Sequence, residues 1–439
     1  MSGDAPDPYA RSRAAAARLA ELVPGGAHTY AKGPDQYPAD IAPIIARGAG
    51  AHVWDLDGHE YIEYGSGLRS VILGHAHPLV VDAVRRQVGL GANFTRPAGI
   101  EADAAERFLT SVPGAEMVKF AKNGSDVTTA AVRLARAHTG RDLVAICADH
   151  PFFSVDDWFI GATAMPAGIP SAVRELTVTF PYGDLDATRR LLQEHGERIA
   201  CLVLEAGEPA PGYLSALRDL AHAHGALLIF DEMITGLRWH AGGAQTLFGV
   251  TPDLSAFGKA IGNGFAVSAL AGRRDLMQRG GLDHDAERVF LLSTTHGAET
   301  HALAAMIAVL DVFEREDVVA RLHATGAELA EGVRAAADAA GVSDHLVVRG
   351  RDSNLVFATL DGDGRPSQEY RTLFMRQLLL GGVLAPSLVV SDATSAADVR
   401  RTVEVVADAA VVYRKALEAG DPTPWMGGRS IRPVFRTYA

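Results

Sequence analysis

The stretch "LSALRDLAHAHGALLIFDEMI", Leu214–Ile234, decides the fold. It reads as a helix, a glycine break, and then an unbroken apolar strand that ends in two acids. The stretch before it, "LDATRRLLQEHGERIACLVLEAG" at 185–207, has the same order. Both strands are continuous apolar runs rather than alternating ones. Such runs mark parallel strands covered on both faces. Repeated helix–strand order then predicts an α/β domain around a mainly parallel sheet.

Working outward, the alternation extends over about residues 76–310, the expected large domain. "AHVWDLDGHEYIEY" at 51–64 predicts a hairpin, with alternating apolar residues around a turn. Residues 311–439 predict a smaller α+β unit of long helices plus one strand, "LVVRGRDSNLVFATL" at 346–360. Residues 1–75 are expected to pack with it, so both termini contribute to the smaller domain.

The chain has 439 residues and a net charge of -12, from 53 acidic and 41 basic residues. An acidic chain repels phosphate backbones, which argues against nucleic acid as a partner. No run approaches the ~18 apolar residues needed to span a membrane, and the first residues lack the apolar core of a secretory signal. A soluble, cytoplasmic protein is expected. Cys147 and Cys201 lie in apolar runs and read as buried thiols. No histidine or cysteine group has metal-ligand spacing, so no metal is expected.

Five lysines, Lys32, Lys119, Lys122, Lys259 and Lys415, are the only side-chain amines. P-loop, dinucleotide-fingerprint and hydrolase-elbow patterns are absent. Three other features stand at strand ends. "KNGSD" (Lys122–Asp126) opens a helix with Ser125 or Asp126 near its N-cap; Gly124 and Ser125 then suit a phosphate, or form an ordinary cap. Asp231 ends a strand, where a carboxylate faces a ligand crevice and can hold a pyridinium nitrogen protonated, or caps a helix. Lys259, in "LSAFGKAIGNG" (Leu254–Gly264), follows an apolar run that would desolvate its amine and favour a nucleophile, or simply begins a turn.

Phosphate loop, aspartate, then lysine twenty-eight residues later is an order that resembles the class III aminotransferases, pyridoxal 5'-phosphate enzymes of fold type I. "LIFDEMITGLRWHAGGAQTLFGVTPDLSAFGKAIGNGFAVSALAGRRDLM" at 228–277 carries the likeness. "PGGAHTY", "GAHVWDLDGHEYIEY", "ILGHAHP", "RLARAHTGRD" and "GIPSAVRELTVTFPYGDLDATRRLL" add a likeness to the glutamate-1-semialdehyde 2,1-aminomutase branch over about residues 20–420. The resemblance implies a Schiff-base lysine at Lys259, a pyridinium partner at Asp231 and a ring contact at Met233. It puts a phosphate cup at Gly124 and Ser125, and Phe152 stacking on the ring, with Phe153 in place of the family's histidine. Glu205 stands in "LEAG" where the family has "VEP". A phosphate contact from a second subunit falls on Thr294 or Thr295, which implies a homodimer sharing its sites.

The family's carboxylate-binding arginine is missing from "PGGAHTYAKGPDQYP" at 24–38. Its absence argues against a small anionic semialdehyde as substrate. The expected reaction is amino transfer between a small-molecule amino donor and a carbonyl acceptor, the acceptor an oxidised amino sugar such as an aminoglycoside intermediate. The alternatives are an aminomutase of the semialdehyde type and an epimerase at an amino-bearing carbon. Tyr30, Arg69 and Asp157 are the candidate substrate contacts. Arg69 offers a guanidinium fork to a carboxylate or makes a structural ion pair; Asp157 meets a cationic group or caps a helix. Arg429, Arg432 and Arg436 in the tail cover either a subunit surface or the site.

Overall fold

The apolar runs that end at Glu205 and Asp231 lie side by side in a seven-stranded sheet of the computed structural model, which describes residues 7–150 and 152–438. Strand order across this sheet is Met117–Ala121, Ser268–Gly272, Leu254–Phe257, Leu227–Asp231, Ile199–Glu205, Leu143–Cys147 and Thr177–Phe180. Only Ser268–Gly272 runs against its neighbours. The other pairings among the middle strands are parallel. Every residue of Leu143–Cys147 and Leu227–Asp231 is buried, as apolar strands flanked by crossover helices require. Helix Tyr213–Ala223 buries Tyr213, Leu214, Leu217 and Ala221, one stripe at helical spacing. Cys147 and Cys201 are free and buried, and burial pushes their thiols up to about 11 and about 12.

Two compact units divide the chain. Pro78–Val319 holds the seven-stranded sheet. The other unit joins the residues up to His77 with Ala320–Arg436. In it the expected hairpin forms from His52–Asp55 and Glu60–Glu63, within a four-stranded sheet completed by Ile45–Ala49 and Val383–Leu384. Asp55 sets the turn: one carboxylate oxygen accepts the N–H groups of Asp57 and His59 at 3.0 and 2.8 Å.

The stretch at 346–360 differs from expectation. It is two antiparallel strands, Leu346–Arg349 and Val356–Thr359, not one. Gly350 at φ +99° and a 3-10 turn at Asp352–Asn354 reverse the chain there. A glycine inside an apolar run marks either a bulge or a reversal, and pattern alone does not separate them. Helix Ala396–Ala419 of this unit begins on a capping box. Ser395 Oγ accepts the Asp398 N–H at 3.2 Å, and the Asp398 carboxylate accepts the Ser395 N–H at 2.8 Å. Among the described residues, no helix is long and apolar enough to cross a membrane.

Candidate active site

Parallel pairing sets Glu205 directly opposite Asp231, at the carboxyl ends of neighbouring strands. Asp231 is 3% exposed. Burial pushes its carboxyl up to about 7; the nearby Lys259 charge and the Met233 N–H pull it down, while Glu205 and Glu232 add to the rise. The Met233 N–H donates to Asp231 Oδ1 at 2.8 Å and fixes the carboxyl plane. Carboxyl ends of parallel strands are where ligands meet an open α/β sheet.

His150 was not singled out from the sequence. Its Nδ1 accepts the Glu205 N–H at 3.0 Å, so the ring carries its proton on Nε2 and is neutral. Burial lowers its pKa, which favours that state. Its ring lies 4.9 Å from that of Tyr182. One signal was available: His150 sits three residues beyond Cys147, at the carboxyl end of another parallel strand.

Lys259 follows strand Leu254–Phe257 and begins a 3-10 turn, Lys259–Gly262, with φ +46°. A left-handed lysine costs about 1 kcal/mol or more, and such strain concentrates at functional sites. Met233 packs closely against both Gly258 and Gly124. A Cβ on either would meet the Met233 sulfur, at 2.5 and 2.9 Å. The thioether therefore fills the space between the lysine turn and the helix that starts at Gly124.

That helix, Gly124–Thr139, is capped at Asn123 and not at Ser125 or Asp126. The Asp126 carboxylate reaches back to accept the Asn123 and Lys122 N–H groups at 2.8 and 3.3 Å. Gly124 and Ser125 are thus the first two helical residues, where N–H groups have no intrahelical acceptor and anions bind. Ser125 Oγ accepts the Val155 N–H at 3.0 Å, which aims the hydroxyl. Lys122, two residues before Gly124, is paired with Glu299.

The other expected residues are placed as follows. Thr294 and Thr295 are exposed, and among the described residues neither hydroxyl bonds to the Gly124–Asp126 turn; Asn93 Nδ2 donates to the Thr295 carbonyl at 2.9 Å. Phe152 is 43% exposed, while Phe153 is 2% exposed and edge-on to Phe159. Asp157 is exposed and opens the short helix Asp157–Ile160, whose N-cap is Asp156. Tyr30 and Arg69 belong to the other unit.

Glu232 has a structural job. It is fully buried, and burial pushes it up to about 7. Its carboxylate accepts the N–H groups of Ala244 and Gln245 at 2.8 and 2.7 Å, and the Thr235 hydroxyl. Glu232→Ala strands these buried donors and is expected to cost ~3 kcal/mol. Chemical denaturation checks this; a loss below about 1 kcal/mol contradicts the assignment.

A buried carboxyl, a thioether, a helix start with an aimed hydroxyl and a strained lysine amine form one donor set. It fits a flat ring bearing a basic nitrogen, a phosphate and a carbonyl group. The family model for "Aminotransferase class-III" matches residues 35–358. The FumI protein of Sphingopyxis sp. MTA144, solved in its PLP internal aldimine form, is 26% identical, with 95% of this chain and 100% of that one covered and a TM-score of 0.85. An omega-transaminase from Sphaerobacter thermophilus is 27% identical over 92% of this chain and 97% of that one, TM-score 0.81. A glutamate-1-semialdehyde-aminomutase from Pseudomonas aeruginosa PAO1 shares the fold, at 22% identity over 91% and 94%, TM-score 0.77.

Proposed function

This chain belongs to the class III aminotransferases, with pyridoxal phosphate as cofactor, and we propose that Lys259 and Asp231 run its amino transfer to an oxidised amino sugar. The carrying observation is the meeting of Asp231, Glu205 and the Lys259 charge at adjoining strand ends. When bound, the cofactor supplies an electron sink for the carbanion left by proton removal. Lys259 would hold the cofactor's carbonyl group through its amine. Its Nζ would also be the base that takes the proton from the substrate carbon and the acid that returns it. Asp231 would keep the ring nitrogen protonated, the Gly124–Ser125 turn would bind the phosphate, and Met233 would offer an apolar surface to the ring.

The acceptor assignment rests on the net charge of -12 and on the missing arginine in residues 24–38. We place the protein as a homodimer in which Thr294 or Thr295 of each copy serves the phosphate of the other. The test is the near-visible absorbance band of the holoenzyme. A panel of amino donors is expected to shift it, and an oxidised amino sugar to restore it. If a semialdehyde restores the band and amino sugars do not, the acceptor assignment fails and the aminomutase alternative takes its place.

The buried acids give a pH signature. In the cofactor-free protein Asp231 and Glu232 keep their protons up to about 7, above the ordinary values of 3.8 and 4.5. The folded state then binds more protons than the unfolded one, so stability falls as pH rises from about 4 to about 7. Urea midpoints across that range are expected to decline. A rise through the window contradicts the burial account.

A further inference from the structure

The last rung of one central strand is made by a side chain. Ile199–Glu205 pairs with Leu143–Cys147 on one flank, and that register ends at Ile146 opposite Val203. On the other flank, pairing with Leu227–Asp231 continues to Glu205 opposite Asp231. The Glu205 N–H thus has no strand partner, and His150 Nδ1, three residues beyond Cys147, accepts it at 3.0 Å. The Glu205 carbonyl accepts the Gly207 N–H at 2.7 Å. The imidazole itself is held. The Tyr182 ring lies 4.9 Å from it, and Phe153 is edge-on at 6.2 Å. The Tyr182 N–H donates to Asp149 Oδ2 at 2.7 Å, which ties that tyrosine to the residue before His150. A Cβ on Gly207 would run into the Tyr182 hydroxyl, so the turn after Glu205 packs on the same tyrosine. His150 and Tyr182 form one clamp on the strand end that carries Glu205.

Residues directly opposite on neighbouring strands put their side chains on one face. Glu205 and Asp231 therefore share a face, and the place of the Glu205 carboxylate follows its backbone. A carboxylate beside another raises its hold on a proton and favours a positive group near both. Glu205 adds to the rise of Asp231 in this way. The rung depends on charge state. Neutral imidazole accepts at one nitrogen, whereas imidazolium only donates. A proton on His150 therefore sets one N–H against the Glu205 N–H and breaks the rung. The surroundings of the ring pull both ways. Burial disfavours its charge and lowers its pKa from the ordinary 6.5, while Glu205 and Asp149 favour the charge. Tyr182 stays neutral beside it, because burial raises its hydroxyl. The ring is thus an acceptor at neutral pH and loses that role only in acid.

We propose that His150 is a positioning residue for amino transfer: its neutral Nδ1 holds Glu205 opposite Asp231, and its protonation releases that strand end in acid. The kinetic part rests on the amino-transfer reading; the rung rests on the fold alone. His150→Asn and His150→Leu separate the cases, since a carboxamide oxygen stands where Nδ1 stands and leucine offers no acceptor. Hydrogen exchange on the cofactor-free protein reads the Glu205 amide directly. Protection is expected in wild type and in His150→Asn, with exchange at least about tenfold faster in His150→Leu. In the loaded enzyme His150→Leu is expected to lower kcat about tenfold with KM for the donor nearly unchanged, and His150→Asn to come within about threefold of wild type. The acid limb of kcat is the readout that a purely structural role would not move. Wild type should lose rate below the ordinary histidine value of 6.5 as His150 takes its proton. His150→Asn has no such proton to take and should keep its rate there. Equal protection of the Glu205 amide in wild type and His150→Leu overturns the rung. Full kcat in His150→Leu, or an unchanged acid limb in His150→Asn, overturns the role. A wild type inactive with every donor overturns the amino-transfer reading and the role with it, while exchange still reads the rung.

Discussion

Lys259→Ala is expected to lower amino transfer by at least about a thousandfold, since in the proposed assignment one residue both holds the cofactor and moves the proton. Borohydride is expected to fix the cofactor on the wild-type chain and to leave it removable from the variant. Among the other lysines, Lys122 is paired with Glu299, Lys119 is exposed on the edge strand Met117–Ala121, and Lys32 and Lys415 belong to the other unit. A second readout reports the backbone rather than the chemistry. At φ +46° glycine is comfortable and alanine is not. Lys259→Gly should therefore unfold at higher denaturant than Lys259→Ala, by about 1 kcal/mol, while both are inactive. Wild-type rates in the alanine variant would falsify the assignment.

Asp231→Asn is expected to cost about a hundredfold to a thousandfold in kcat with little damage to the fold. The carboxamide keeps the shape and its oxygen still accepts the Met233 N–H, but it brings no charge to the ring nitrogen. Cofactor-free Asp231→Asn should also show a shallower stability loss between about pH 4 and about pH 7, with Glu232 alone left to lose its proton. Rate and pH slope must change together. A variant with the full wild-type slope would show that Asp231 is not the group that titrates there.

The positions of Asp231 and Lys259 at strand ends were legible because Asp231 closes one apolar run and Lys259 follows another by two residues. Ser125 and Asp126 do lie near the cap of helix Gly124–Thr139, and the fold shows that Asn123 is the cap itself and Asp126 its capping-box partner. His150 was missed because its role is a contact with the Glu205 N–H, fifty-five residues away. The stretch at 346–360 was read as one strand because apolar residues flank Gly350 on both sides.

By itself the sequence determined the class of fold, the strand ends that bear acids and a lysine, and the small number of side-chain amines. Those properties are local: burial period, chain-breaking residues and residue type travel with the segment. Tertiary structure alone decided that Glu205 stands opposite Asp231, that Met233 fills the gap between Gly124 and Gly258, and that His150 takes up the Glu205 N–H. Register, close packing and the pairing of distant segments depend on which surfaces meet. A one-residue slip would turn every side chain of a strand to its other face, and no single segment records that choice.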